Sequence, residues 1–184
     1  MRPFLFIILL KMLSHMHISL LGFAAYSGVG KTTLLKQLIP LLKRQGLSIG
    51  LIKHSHHDFE IDIPGKDSYE LRKAGAEQVA LVSAYRQVVI KERQKRQEPT
   101  LEDAVQQLDQ TGLDLILVEG FRDTPFPKIE LHRPSLGKRP LYPEDETIIA
   151  VATDDISVVR SDLPVLDLNN SMAIADFIRD WMKG

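Results

Sequence analysis

Gly28, Gly30, Lys31 and Thr32 stand together in Ala25-Tyr26-Ser27-Gly28-Val29-Gly30-Lys31-Thr32-Thr33, and their types define a phosphate-handling chemistry. Gly28 and Gly30 adopt backbone angles closed to other residues and keep Cβ atoms away from a ligand. The N–H groups of Ser27, Gly28, Val29, Gly30, Lys31, Thr32 and Thr33 are thereby expected to converge on phosphate oxygens, assisted by the positive end of a helix dipole. Lys31 brings a compact charge to the β- and γ-phosphates, and Thr32 offers its hydroxyl to Mg²⁺. The pattern is G-x4-G-K-S/T with Ala25 in the first glycine position, the smallest change available there. A chance glycine-rich turn before a structural helix is the alternative. The flanking elements decide against it.

A second group lies far downstream. Leu113-Asp114-Leu115-Ile116-Leu117-Val118-Glu119-Gly120 reads as a buried strand ending in a carboxylate. Glu119 is expected to hold Mg²⁺ through water or to orient a hydrolytic water. By itself such a strand is weak evidence; beside Gly30-Lys31-Thr32 it becomes substantial. Asp67, in the turn Ile61–Ser68, is a switch-segment candidate reaching the metal or the attacking water. Its bland alternative is a helix cap, shared with Ser68. Asp154, after a late strand, is placed to pair with guanine N–H groups, although no Asn-Lys-x-Asp element accompanies it; a turn aspartate is the alternative. His54-Ser55-His56-His57-Asp58 raises a metal-site reading. Neighbouring side chains at a strand end diverge and zinc spacing is lacking, so contact with nucleotide or partner is the stronger reading.

These residues need a scaffold. Ile18–Ala24 reads as a buried strand, and Leu34, Leu35, Leu38, Leu41 and Leu42 mark one face of a helix from about Gly30 to Gln45. Gly46 is its expected C-cap, and Pro40 should bend or split it. Leu47–Lys53 supplies a second strand, and the resulting β-α-β order argues for a parallel sheet. A short helix over Tyr69–Ala74 follows, with Lys66 and Arg72 readable as solvated charges. Gln78–Ala84 and Arg86–Ile90 suit a hairpin. Lys91–Glu98, of mixed sign, suits a solvated loop. Thr100 should cap a helix with core residues Leu101, Ala104, Val105 and Leu108. Lys128–Leu131 and Ile148–Ala152 read as strands separated by a long exposed connection over Arg133–Glu144. Val165–Leu168 is a last strand, and Ser171 should cap a closing helix carrying Ile174, Phe177, Ile178 and Trp181.

The 184 residues carry 23 Lys+Arg against 24 Asp+Glu, a net charge of -1. No global attraction to nucleic acid or anionic membrane follows. The absence of cysteine excludes disulfides, thiolate metal sites and cysteine catalysis, and it fits a reducing cytoplasm. Phe4–Leu10 is too short to span a bilayer, which needs about 20 residues. Residues 1–16 therefore read as an extension outside the fold, or as a mis-assigned start with Met12 and Met16 as alternatives. Residues 17–184 read as one P-loop nucleotide-binding domain with no linker: α/β, mostly parallel, flanked by helices, with an added antiparallel hairpin.

Together the stretches Ala24–Leu35, Ile52–Asp58, Pro64–Tyr69, Leu71–Ala76 and Leu117–Phe121 resemble the molybdopterin-guanine dinucleotide biosynthesis protein B family, MobB. The similarity runs from about Leu20 to Met182. The resemblance implies a homodimeric, GTP-binding protein that hydrolyses GTP weakly. It further implies an adapter role, assisting the molybdopterin guanylyltransferase (MobA-like) that attaches GMP to molybdopterin. Residues 1–16 and Lys91–Glu98 take no function from it. A nickel-delivery GTPase using His54, His56 and His57, and a non-hydrolysing scaffold, are the alternatives. No arginine finger or water-positioning glutamine is recognisable, so turnover should lie near the unassisted ~10⁻³ s⁻¹.

Overall fold

The computed structural model describes residues 18–55, 58–159 and 162–184. The reading of residues 1–16 as an extension lies outside the described residues. The chain divides into two compact units, residues 18–54 with Leu101–Gly184, and Ser55–Thr100.

The larger unit is a six-stranded parallel sheet. Its strands are β1 (Ser19–Ala24), β2 (Ile49–Lys53), β5 (Leu115–Glu119), β6 (Lys128–His132), β7 (Ile148–Thr153) and β8 (Val165–Asp167), in the order β2-β5-β1-β6-β7-β8. β1 thus lies between β5 on one side and β6 on the other. The loop after β1 leaves from the carboxyl edge at a reversal of strand order, where open α/β sheets form their ligand crevice.

Alternation along β1 assigns the two faces. Leu21 and Phe23 join Leu115, Leu117, Ile129, Leu131, Ala150 and Ala152 beneath two helices, α1 (Lys31–Arg44) and α4 (Ser171–Trp181). The helices contribute Leu34, Leu35, Leu38, Leu41 and Leu42, and Ile174, Ala175 and Ile178, respectively. On the opposite face Leu20, Ile52, Ile116, Val118 and Phe126 pack with Leu101 and Val105 of the short α3 (Leu101–Val105). Each fully buried aliphatic side chain is worth about 1.5–3 kcal/mol, so these two layers hold the unit together.

The expected strands and helices form, with local differences. Pro40 does not split α1, which runs unbroken to Arg44. Both Pro40 and Lys36, whose carbonyl loses its partner, lie on the exposed side; water can satisfy that group. The C-cap is Gln45, not Gly46; Gly46 follows it with φ +90 and donates to the Lys43 carbonyl at 3.0 Å. The cap of α4 is Asn170, not Ser171: its Oδ1 accepts the Ala173 N–H at 3.0 Å, and Ser171 is already helical.

The connection after β6 is the largest difference. Residues 135–139 at its tip and residues 143–144 are exposed, whereas residues 133–134 and 140–142 are partly buried. It folds back over a face of β6 that carries Lys128, Glu130 and His132, all buried. Glu130 accepts N–H groups from Leu141 at 2.7 Å and Tyr142 at 2.8 Å. Burial pushes its carboxyl above the usual range, against the pull of those donors and of His132. Glu130 stays inside because the backbone of the connection supplies its partners.

The smaller unit contains α2 (Asp67–Lys73) and an antiparallel hairpin of β3 (Gln78–Val82) and β4 (Gln87–Lys91). Here α2 begins at Asp67, with Lys66 at the cap position and no side-chain cap bond. Neither Asp67 nor Ser68 caps it; the Ser68 hydroxyl donates instead to Asp62 at 3.0 Å. Arg72 is not solvated. It is 7% exposed and paired with both Glu60 and Glu92, which join the loop before α2 and the end of β4 to the helix. Residues 91–98 are exposed, as a mixed-sign loop should be.

Candidate functional site

Strand β1 ends at Ala24 and α1 begins at Lys31, leaving six residues to turn the chain at the sheet's carboxyl edge. Gly28 has φ +85 and Gly30 φ +105, values that a side chain would strain. Between them Val29 is 2% exposed and packs into the α1-side core. It thereby pins the loop just after its exposed residues Ser27 and Gly28. Lys31 is the first residue of α1, and Thr32 and Thr33 are exposed in its first turn. The helix runs 14 residues with Lys43 and Arg44 in its last turn, so its dipole presents a positive end at the loop.

Glu119 closes the site from β5. Register fixes its place: β5 pairs with β1 through Phe23 opposite Glu119, and with β2 through Lys53 opposite Glu119. Its carboxylate lies between two ammonium groups, 4.0 Å from Lys31 Nζ and 3.8 Å from Lys53 Nζ, and is 15% exposed. Lys31 and Glu119, both singled out from sequence, lie within 4.0 Å of each other; Lys53 is not singled out, and its position at the end of the neighbouring strand brings it to the same carboxylate.

The chain beyond Glu119 is tightly constrained. The Glu119 carbonyl accepts the His54 N–H at 2.8 Å. Gly120 has φ +105, and a Cβ there would stand 2.6 Å from His54 Cβ. Phe121, with φ +50, is the one non-glycine residue at positive φ among the described residues. Its ring stacks on His54 at 4.4 Å between centroids and 15° between planes. An aromatic residue held in the left-handed region costs about 1 kcal/mol or more; the stack fixes it beside the carboxylate. His56 and His57 lie outside the described residues. Among those described, no group of three His, Cys, Asp or Glu side chains could hold a metal ion.

A further side chain reaches the loop from a segment with no functional signal in sequence. Arg133 directly follows β6, and its Nε donates to the Val29 carbonyl at 2.8 Å. Its Nη1 donates to Asp154 Oδ2 at 2.5 Å. Asp154 is therefore at the edge of the site, engaged with Arg133. Asp67 opens α2 of the second unit.

The donor set fits a magnesium nucleoside phosphate. It combines a loop with two glycines in the left-handed region, a lysine and a threonine at a helix start, and a half-shielded carboxylate aligned with that lysine. Phosphate takes the amides and ammonium; a hard divalent ion takes hydroxyl and carboxylate oxygen. Fold and site together define a P-loop NTPase-like nucleotide-binding protein.

Comparison with known proteins narrows this class. Residues 20–154 match the family model described as molybdopterin guanine dinucleotide synthesis protein B, MobB. The chain is 48% identical over 167 residues to the molybdopterin-guanine dinucleotide biosynthesis adapter protein of Escherichia coli (strain K12), covering 90% of this chain and 94% of that one. It is 45% identical over 165 residues to the adapter protein of the same description from Haemophilus influenzae, covering 90% of each. A crystal structure of Bacillus subtilis MobB superposes with a TM-score of 0.70 at 23% identity, over 91% of this chain and 99% of that one, and supports the fold. The chain belongs to the MobB family. No helix among the described residues is long and apolar enough to cross a membrane.

Proposed function

We propose that this protein is an adapter in the synthesis of molybdopterin guanine dinucleotide, acting as a GTP-binding partner of the enzyme that joins GMP to molybdopterin. The adapter role comes from its family and from the 45–48% identity to relatives of that description. The observation that supports the nucleotide is the alignment of Lys31 with Glu119 across the mouth of a glycine loop in the left-handed conformation. Guanine as the base, homodimer formation, the guanylyltransferase partner and a cytoplasmic setting rest on the family resemblance.

In this reading the amides of residues 27–33 and the Lys31 ammonium hold the phosphate chain. Thr32 and Glu119 would hold Mg²⁺, which when bound neutralises charge on the phosphates. Glu119 now shares its carboxylate between Lys31 and Lys53. A phosphate group arriving at Lys31 would leave Lys53 as the standing counter-charge that orients Glu119. Asp67 retains its proposed role toward the metal or the attacking water. Phosphoryl chemistry here rests on positioning and charge, so hydrolysis should be slow, ~10⁻³ s⁻¹.

Equilibrium binding of GTP and ATP with Mg²⁺ tests the assignment. GTP should bind more tightly, and Lys31→Ala should weaken it by at least about tenfold. Preference for ATP would overturn the guanine assignment, and full affinity in Lys31→Ala would overturn the loop's role.

A further inference from the structure

Arg133 stands where two strand registers meet. β6 pairs with β1 as far as Glu130 opposite Ala24, then continues along β7 to His132 opposite Thr153. The next residues, Arg133 and Asp154, therefore emerge side by side, just past the point where β1 turns into the phosphate loop. The guanidinium spans both: Nε to the Val29 carbonyl at 2.8 Å, Nη1 to Asp154. Its Nη2 lies 3.9 Å from the place a Cβ on Gly30 would take. One edge of the group thus faces the Val29–Gly30 peptide. Arg133 and Asp154 side chains are 31% and 24% exposed, so the pair is partly shielded from competing water.

This contact matters because of which peptide it holds. All peptide bonds among the described residues are trans, so the Gly30 N–H points away from the Val29 oxygen. Drawing that oxygen toward Arg133 turns the N–H to the opposite side of the loop. Gly30 at φ +105 tolerates either sign of φ, so this peptide flips readily. A flip would present a carbonyl oxygen where an anion needs a donor. The Val29 side chain, buried in the core, holds one end of the peptide; only a donor on the carbonyl holds the other.

We propose that Arg133 is a positioning residue for the phosphate loop, clamping the Val29 carbonyl so that the Gly30 N–H faces the bound phosphates, with Asp154 orienting the clamp. This rests on the nucleotide reading above and extends it to residues outside the loop. Asp154 serves the phosphates through Arg133, and the base is read elsewhere. A lysine cannot reproduce the arrangement, because its ammonium lacks the planar fork that reaches carbonyl and carboxylate together.

The test compares wild type with Arg133→Ala, Arg133→Lys and Asp154→Asn as full chains, measuring binding of GTP, GDP and ATP with Mg²⁺. Arg133→Ala should weaken GTP and GDP alike by about tenfold, the worth of one well-aligned donor. Arg133→Lys should recover little. Asp154→Asn, which alters one atom and spares the fold, should lose about threefold while leaving the GTP-to-ATP ratio unchanged. In ligand-free protein, the Gly30 amide NMR signal should shift and broaden in Arg133→Ala, as expected for a released peptide plane. A Lys31→Ala loss together with unchanged affinity in Arg133→Ala would end the clamp and leave the nucleotide reading standing. A GTP-to-ATP ratio that collapses in Asp154→Asn would instead assign Asp154 to the base. Wild type binding neither GTP nor GDP would end both.

Discussion

Lys128 is a charged side chain at 2% exposure in the middle of a parallel sheet, and its environment explains how this is sustained. The ammonium donates to the Arg122 and Thr124 carbonyls, each at 2.8 Å, and pairs with Asp145 Oδ2 at 2.9 Å. All three of its donors are used. Its stem packs where Gly22 leaves room, since a Cβ there would lie 2.8 Å from Lys128 Cγ and 2.6 Å from Phe126 Cε2. Burial alone would raise the Asp145 carboxyl, but donors from Thr147 and Lys128 outweigh it and hold it below the ordinary 3.8. A depressed carboxyl adds stability above 3.8 and loses it as pH falls through the folded value. Asp145→Asn should therefore cost about 2 kcal/mol at about pH 7, below the roughly 3–5 kcal/mol of a fully buried pair because the Asp145 side chain is 25% exposed. The deficit should shrink at about pH 3, below the ordinary 3.8, where wild type has begun to lose the same contribution. Urea denaturation at both pH values reads this directly; an unchanged gap would show that the pair is not the source. None of this was legible in the strand pattern Lys128–Leu131, because alternating charged residues ordinarily mark a solvated face. The partners that reverse the rule come from both sides of the strand, Arg122 and Thr124 from the loop before it and Asp145 from beyond it.

At the scale of elements, the hairpin unit depends on one side chain. A two-stranded hairpin is marginal alone, and β3 and β4 bury no residue fully. Arg72 supplies the cross-link: its guanidinium pairs with Glu60 before α2 and Glu92 after β4, and lies 5.2 Å from the Tyr69 ring centroid. The two carboxylates hold the guanidinium protonated beyond its already high ordinary value, through Glu60 first and Glu92 second. Glu60 is itself held below the usual carboxylate range by Arg72. Arg72→Met should raise amide hydrogen exchange across residues 58–100 while residues 101–184 keep their protection. Uniform loss across the chain would instead mean that the hairpin unit and the sheet unfold as one. Helix α1 shows what local sequence does specify: leucines at helical spacing and a terminal glycine sufficed, and Pro40 was harmless because it falls on the wet side.

For the molecule as a whole, the adapter reading makes predictions about assembly. Light scattering after gel filtration should give twice the 20.8 kDa chain mass, as the family resemblance implies; a monomer across a wide concentration range would count against the dimer. Purified protein should retain a molybdopterin guanylyltransferase in a pull-down, with a yield that changes when GTP is added. No capture in either state would remove the adapter role. The amino-acid sequence by itself determined the phosphate loop, its strand and helix, the carboxylate Glu119 and the parallel sheet. Each is written in a contiguous run whose glycines, periodicity or apolar content acts locally, and a single stretch contains the whole signal. The tertiary structure alone decided that Lys53 flanks Glu119, that Arg133 grips Val29 across 104 residues of sequence, and that Lys128 and Arg72 are interior charges. Those contacts follow from which strands become neighbours and in what register, and closing such distant loops depends on the folding of the whole chain.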